Sequence, residues 1–292
     1  MKAIYKRELQ SHLTGMTGAV TIAFILLMTG IYTSVYSLRG GYPSFAVTLS
    51  GNFILSASFV YVLVIPVLTM RSIAEEKHAR TDQLLYALPV PMWKIVTAKY
   101  LAMITVLAVP CVVMCFYPLL LARFGTMNFA ADYGAIFAFF LLGAALAAIG
   151  LFISSLTESQ VIAAVLSLGL FLLLFFMPLF APMVPDSAAA SLACFLILAV
   201  IAAVIFYLMT KNGSVAAAVG VILCAVIVLV YVAKAELFNN AVPSILQAAS
   251  IFDRMSPFSD GLFDLTALAF YISCALLFMW LTVQSMEKKR WM

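Results

Sequence analysis

Eight stretches of this chain are each long enough and apolar enough to cross a bilayer, and almost no charge interrupts them. A span needs about 20 apolar residues to cross roughly 30 Å of hydrocarbon. The candidates are 17–38, 53–70, 95–121, 133–153, 161–180, 190–210, 214–233 and 265–283. Lipid is then the solvent for most of the chain, and it offers no water to satisfy an open backbone, so only helices and closed barrels are admissible. A barrel alternates polarity over segments of about 10 residues, and runs such as Phe137–Phe140 and Leu170–Phe176 do not alternate. The expected fold is an all-α integral membrane protein, a polytopic bundle of about eight transmembrane helices forming a single transmembrane domain over 1–292. Composition agrees: 10% of the residues are charged, against about a quarter in soluble domains.

Lys and Arg set the expected orientation. With the N-terminus inside, the inside segments hold Lys2, Lys6, Arg7, Arg71, Lys77, Arg80, Lys94, Lys99, Lys211, Lys288, Lys289 and Arg290. The outside segments hold only Arg39, Arg123, Lys234 and Arg254. The positive-inside rule favours this topology, with both termini cytoplasmic. A seven-span alternative would put Lys288-Lys289-Arg290 outside. Pro178, Pro182 and Pro185 break helical geometry at 177–190 and read as a short outside turn. The apolar run at 17–38 exceeds a signal-peptide core, and no small-residue cleavage site follows it. Residues 1–16 read as an interfacial N-terminal helix, with Ile4, Leu9 and Leu13 toward lipid and Lys2, Lys6 and Arg7 toward anionic head groups. The alternative is a plain basic flank of the first span. The positive charges are spread over several segments rather than gathered on one face, so no nucleic-acid partner is expected.

The residues for most membrane chemistries are missing. All five cysteines fall inside spans, where Cys behaves as a small hydrophobe; Cys111 and Cys115 share a helix face without an accompanying His or carboxylate, so packing is expected rather than metal. His12 and His78 read as solvated surface residues outside any zinc motif. None of the 12 carboxylates lies at the middle of a span. Ion- and proton-coupled transporters keep ionisable groups there, and intramembrane aspartyl proteases need two such acids. There is no Gly-x-x-x-x-Gly-Lys phosphate loop and no Gly-x-Ser-x-Gly elbow. Gly143, Ala147 and Gly150 share a face that allows close helix approach, within the chain or against a second copy.

The densest charge lies in the inside loop 71–94. Arg71 with Glu75, and Glu76 with Arg80, are four apart and predict an exposed helix continuing the second span. Thr81 then caps a short helix, with Asp82 near its positive end. Leu84, Leu85 and Leu88 fall on one side, and Pro89 and Pro91 stop it. This amphipathic helix either docks a partner or lies on the membrane interface.

The stretch Pro66-Val67-Leu68-Thr69-Met70-Arg71-Ser72-Ile73-Ala74-Glu75-Glu76, then Thr81-Asp82-Gln83-Leu84-Leu85 and Pro89-Val90, resembles the signature loop of ABC-2 type transporter permeases. Ile4-Tyr5-Lys6-Arg7-Glu8-Leu9 is similar to their N-terminal segment and the block Phe252–Gly261 to a late block of the same permeases; among them the chain most resembles the gliding-motility-type subgroup. Three features depart from the family pattern. Arg80 stands where the family has Gly, Gln83 where it has Glu, and there are eight spans where the core has six. The extra pair is 190–210 and 214–233, joined at Lys211-Asn212-Gly213. The resemblance implies the permease subunit of an ATP-driven exporter in a bacterial cell membrane. It implies a separate ABC ATPase in two copies, which binds the ATP and Mg; a second permease copy or homologue; and an auxiliary membrane protein. Glu75, Glu76, Thr81, Asp82, Gln83, Leu84, Leu85 and Leu88 would form the ATPase-docking site. The chain itself would carry no catalytic residue, cofactor or metal.

The outside segment 234–264 reads as short interfacial helices, either an extracellular gate built from Phe252, Asp253, Arg254, Pro257, Phe258 and Asp260 or a connector anchoring the last span. Two rival functions remain open at this point. A stand-alone channel or secondary transporter would need buried polar groups. A non-transporting scaffold would turn over ATP without moving cargo.

Overall fold

The computed structural model describes residues 2–39, 44–50, 56–80, 90–125, 127–183, 187–210, 213–233 and 238–290, and among them there is no strand. All eight apolar stretches contain a helix. The chain starts with α1 (Lys2–Thr14) and α2 (Met16–Tyr32), which passes into a π-helical turn at Thr33–Arg39. Then come α3 (Phe45–Ser50), α4 (Ala57–Thr69), α5 (Ala74–His78), α6 (Met92–Met114) and α7 (Tyr117–Leu121). The long helices α8 (Phe129–Leu156), α9 (Gln160–Phe180), α10 (Ala188–Thr210) and α11 (Gly213–Ala233) follow. The short α12 (Ala241–Ala249) and α13 (Ser256–Ser259) precede α14 (Leu265–Arg290). Six segments of described residues are long and apolar enough to cross a membrane: Met16–Ser37, Ala57–His78, Met92–Leu121, Phe129–Leu156, Gln160–Met183 and Leu265–Lys288.

The chain forms two compact units, one of residues 1–175 with 251–292 and one of residues 176–250. At the centre of the first lies α8, which packs against α14, α6, α4 and α3. Small residues permit this. A Cβ on Gly143 would stand 3.0 Å from the Tyr61 ring, and one on Gly150 would stand 2.5 Å from Thr69 Oγ1. The small-residue face is thus used within the chain, against α4. Above it Tyr61 stacks on Phe139 with centroids 4.0 Å apart. Without a hydrophobic drive between helices in lipid, such close contact is the main source of cohesion. Cys111 is buried beside the Tyr61 hydroxyl.

Gly15 separates α1 from α2, and a Cβ on Gly18 would strike the His12 carbonyl oxygen at 2.2 Å. The two helices therefore cross closely. The face of α1 turned to the protein carries Glu8 and His12, while Leu13 is exposed. This corrects two expectations. His12 is buried, not solvated, and the inward side of α1 is its polar side. His78 is exposed, as expected.

In the second unit α10 and α11 pack on each other. Phe238 is wedged edge-on between Phe195 and Tyr231. The expected turn at Lys211-Asn212 lies outside the described residues.

Candidate functional site

The end of the first unit where α4 stops, α6 starts and α8 stops carries a buried polar joint. Helix α4 does not run on as a stalk. It breaks at Met70–Ile73 and restarts as α5. A restarted helix exposes unpaired N–H groups, and here the amides of Ile73 and Ala74 donate to Ser154 Oγ at 3.3 and 3.1 Å. The same hydroxyl donates to the Met70 carbonyl. Lys77 Nζ donates to the Ser155 carbonyl. Ala74 and Lys77 are buried, so the expected exposed helix is instead fastened to the end of α8.

One helix away, Lys99 is 1% exposed. Its ammonium lies 2.9 Å from Glu76 Oε1 and 3.1 Å from Glu8 Oε1, and donates to the Ser72 carbonyl at 2.8 Å. Arg7 closes the ring at 2.9 Å from Glu8 and 3.2 Å from Glu76. Two carboxylates and two cations sum to zero, the condition under which a buried ammonium is tolerable. The cluster joins α1, α5 and α6. Burial pushes the Glu8 carboxyl up, but Lys99 and Arg7 outweigh it and hold it below the usual range. Burial lowers His12, against the opposing pull of Glu8. Beside them a polar cleft of about 170 Å³ opens between Glu8, His12, Arg71 and Glu75.

The residues expected at the docking site divide. Glu76 is in the cluster and Glu75 is exposed at the cleft. Thr81, Asp82, Gln83, Leu84, Leu85 and Leu88 lie outside the described residues. The residue just before them, Arg80, has φ +54, a conformation that glycine adopts without cost. Glu8 and Lys99 went unrecognised in the sequence beyond their topology and charge. A signal existed: a lysine four positions inside the 95–121 span has to find a partner.

The block Phe252–Asp260 contrasts with this. Phe252 and Phe258 are buried, while Asp253 and Asp260 are exposed. Phe252 meets Phe175 edge-on, with centroids 5.0 Å apart. Arg254 sits over the Phe270 ring at 5.2 Å, and Tyr271 donates to the Ile251 carbonyl at 2.9 Å. Pro257 occupies the first turn of α13, and Gly261 ends it at φ +80. Nearby, Asp132 is buried and accepts from the Ala46 amide at 2.8 Å.

The joint ties α5 to α1, α6 and α8. No curated protein matches the chain. The family model described as ABC-2 family transporter protein matches residues 3–259, nearly the whole sequence. That range takes in the buried ionic joint and most of the aromatic block, so the chain belongs to the ABC-2 family transporter proteins, the membrane subunits of ABC transporters.

Proposed function

We propose that the chain is the permease subunit of an ATP-driven ABC-2 exporter, closest to the gliding-motility-type subgroup, in the plasma membrane of a bacterium. Its ATPase, in two copies, grips the segment Thr81–Leu88 and holds the ATP and Mg. A second permease copy or homologue completes the pore, and an auxiliary membrane protein joins the complex. Eight spans and cytoplasmic termini fit this reading, because α10 and α11 are 23 and 21 residues long and about 20 suffice to cross. The block Phe252–Asp260 would gate the outer exit.

The observation that carries the reading is the Lys99–Glu76–Glu8–Arg7 cluster. A segment pushed by another protein moves the spans only if its root is stiff. Here the root is capped by Ser154 and ionically tied to α1 and α6. Closure of the ATPase dimer would then displace several helices together rather than flex one loop.

The test is Leu84→Asp with Leu85→Asp in the reconstituted complex. Burying two charges in a docked interface is costly, so membrane insertion should persist while ATP turnover stops responding to the permease and cargo movement ceases. Unaltered transport and turnover in the double variant would refute the docking assignment.

A further inference from the structure

We infer a site for one anionic phospholipid between α1 and α6. A groove of about 300 Å³ is lined by Lys2, Tyr5, Ala98, Leu101 and Thr105. Ala98, Leu101 and Thr105 are three and four positions apart and so share one face of α6. From Ala98 to Thr105, seven steps along the helix, that face descends about 10 Å, from the span's first turns into hydrocarbon depth. The Tyr5 and Thr105 hydroxyls bond to each other at 2.9 Å, which spares the groove wall an unsatisfied hydroxyl toward an acyl chain.

One wall is cationic: Lys2 lines the groove, and Lys6, one turn along α1, is also exposed. Near the start of α6, Trp93 is 52% exposed with Lys94 over its ring, the pairing of amphipathic ring and cation found at head-group level. An apolar trough with a lysine in its lining is complementary to a lipid with a negative phosphate, and basic pockets between spans on the cytoplasmic side hold such head groups. The phosphate would sit at Lys2 and one acyl chain along Ala98–Thr105. The lipid would brace α1 on α6 from the side opposite the Glu8–Lys99 contact. Placement in the inner leaflet rests on the cytoplasmic orientation proposed above; the groove itself does not.

The experiment is native mass spectrometry of the chain extracted from mixed phosphatidylcholine and phosphatidylglycerol vesicles, which requires no ATPase. Phosphatidylglycerol should be retained in preference to phosphatidylcholine. Lys2→Gln should weaken its retention about fivefold, the value of one lysine near a lipid surface. Leu101→Trp fills the trough from an exposed position and should remove the bound lipid with the charge intact. Arg123→Gln, on an exposed residue elsewhere, should change nothing. Equal retention of the two lipids, or retention by Leu101→Trp at the unsubstituted level, overturns the site. Labelling of Lys2→Cys by an impermeant maleimide only from the outside would overturn its inner-leaflet placement and, separately, the orientation.

Discussion

The two ends of the first unit are closed by different chemistry. At the end where α4 gives way to α5, five charged side chains and the Ser154 hydroxyl do the joining. At the opposite end, aromatic rings do it: Phe252 against Phe175, and Phe258 against Phe263. The difference concerns how each end can respond to force. Ionic contacts are strong only at short range and in register, so displacing one helix by a few ångströms breaks or re-forms the joint. Ring packing is graded and insensitive to charge, so the aromatic end does not depend on the same exact register. On the proposed function, the first end would receive the push and the second would yield to it.

The largest expected effect breaks the ionic end. Lys99→Met removes the buried cation between Glu8 and Glu76, and Arg7, which also pairs with both, has a side chain that is 61% exposed. Breaking a buried pair from one side costs about 3–5 kcal/mol, read as loss of thermal stability in detergent. Adding Glu76→Gln should restore part of it; if the double variant is no better than the single one, the pairing is not what holds the joint. Phe258→Ala at the aromatic end comes next, at about 2–3 kcal/mol. That is below the usual cost of truncating a buried Phe, because lipid and interface solvate apolar groups nearly as well as the protein does. The same variant should raise leak through a reconstituted complex, whereas Lys99→Met should lower coupled turnover without leak.

Acid should separate the two ends without mutation. Glu8 is held below its ordinary value, so its contribution is full above the unfolded-chain pKa, about 4.3, and is lost as pH falls through the lower folded value. His12 is also lowered, so its neutral form favours the folded state above about 6.5, and that advantage too disappears on acidification. Contacts of α1 should therefore loosen first as pH drops below about 6, while those of Phe252 and Phe258 persist; hydrogen exchange resolves the two regions. Uniform loosening would contradict the contrast. The smallest effect concerns the residue before the docking segment. Arg80→Gly should gain up to about 1 kcal/mol by relieving a left-handed conformation, and Arg80→Val should lose at least as much.

Much of this was legible in the residues. Each of the eight apolar stretches became helix, because span length and hydropathy report on the solvent, and the solvent leaves the backbone one economical choice. The Gly143–Gly150 face was recognisable as a close-packing face, but its partner was not. Tyr61 and Thr69 of α4 took it, a match decided by topology. The prediction for the 71–80 region was wrong in its partners. Spacing of four in a helix pairs Glu76 with Arg80, yet the chain breaks at Met70–Ile73 and Glu76 turns to Arg7 and Lys99. Local periodicity sees only neighbours within a turn or two, and these partners are 69 and 23 positions away. His12 was misjudged for the same reason: its burial comes from α2 crossing α1 at Gly18.

By itself the sequence determined that this protein is all-helical and rich in helices long and apolar enough to cross a membrane, and which segment concentrates its charge. These properties follow from composition over windows of about 20 residues and from the absence of water in the bilayer. Only the tertiary structure decided that a lysine read as a topology marker is the buried hub of a neutral four-residue cluster. The reason is that burying a charge is favourable only with partners at bonding distance, and such distances belong to helices brought together in space.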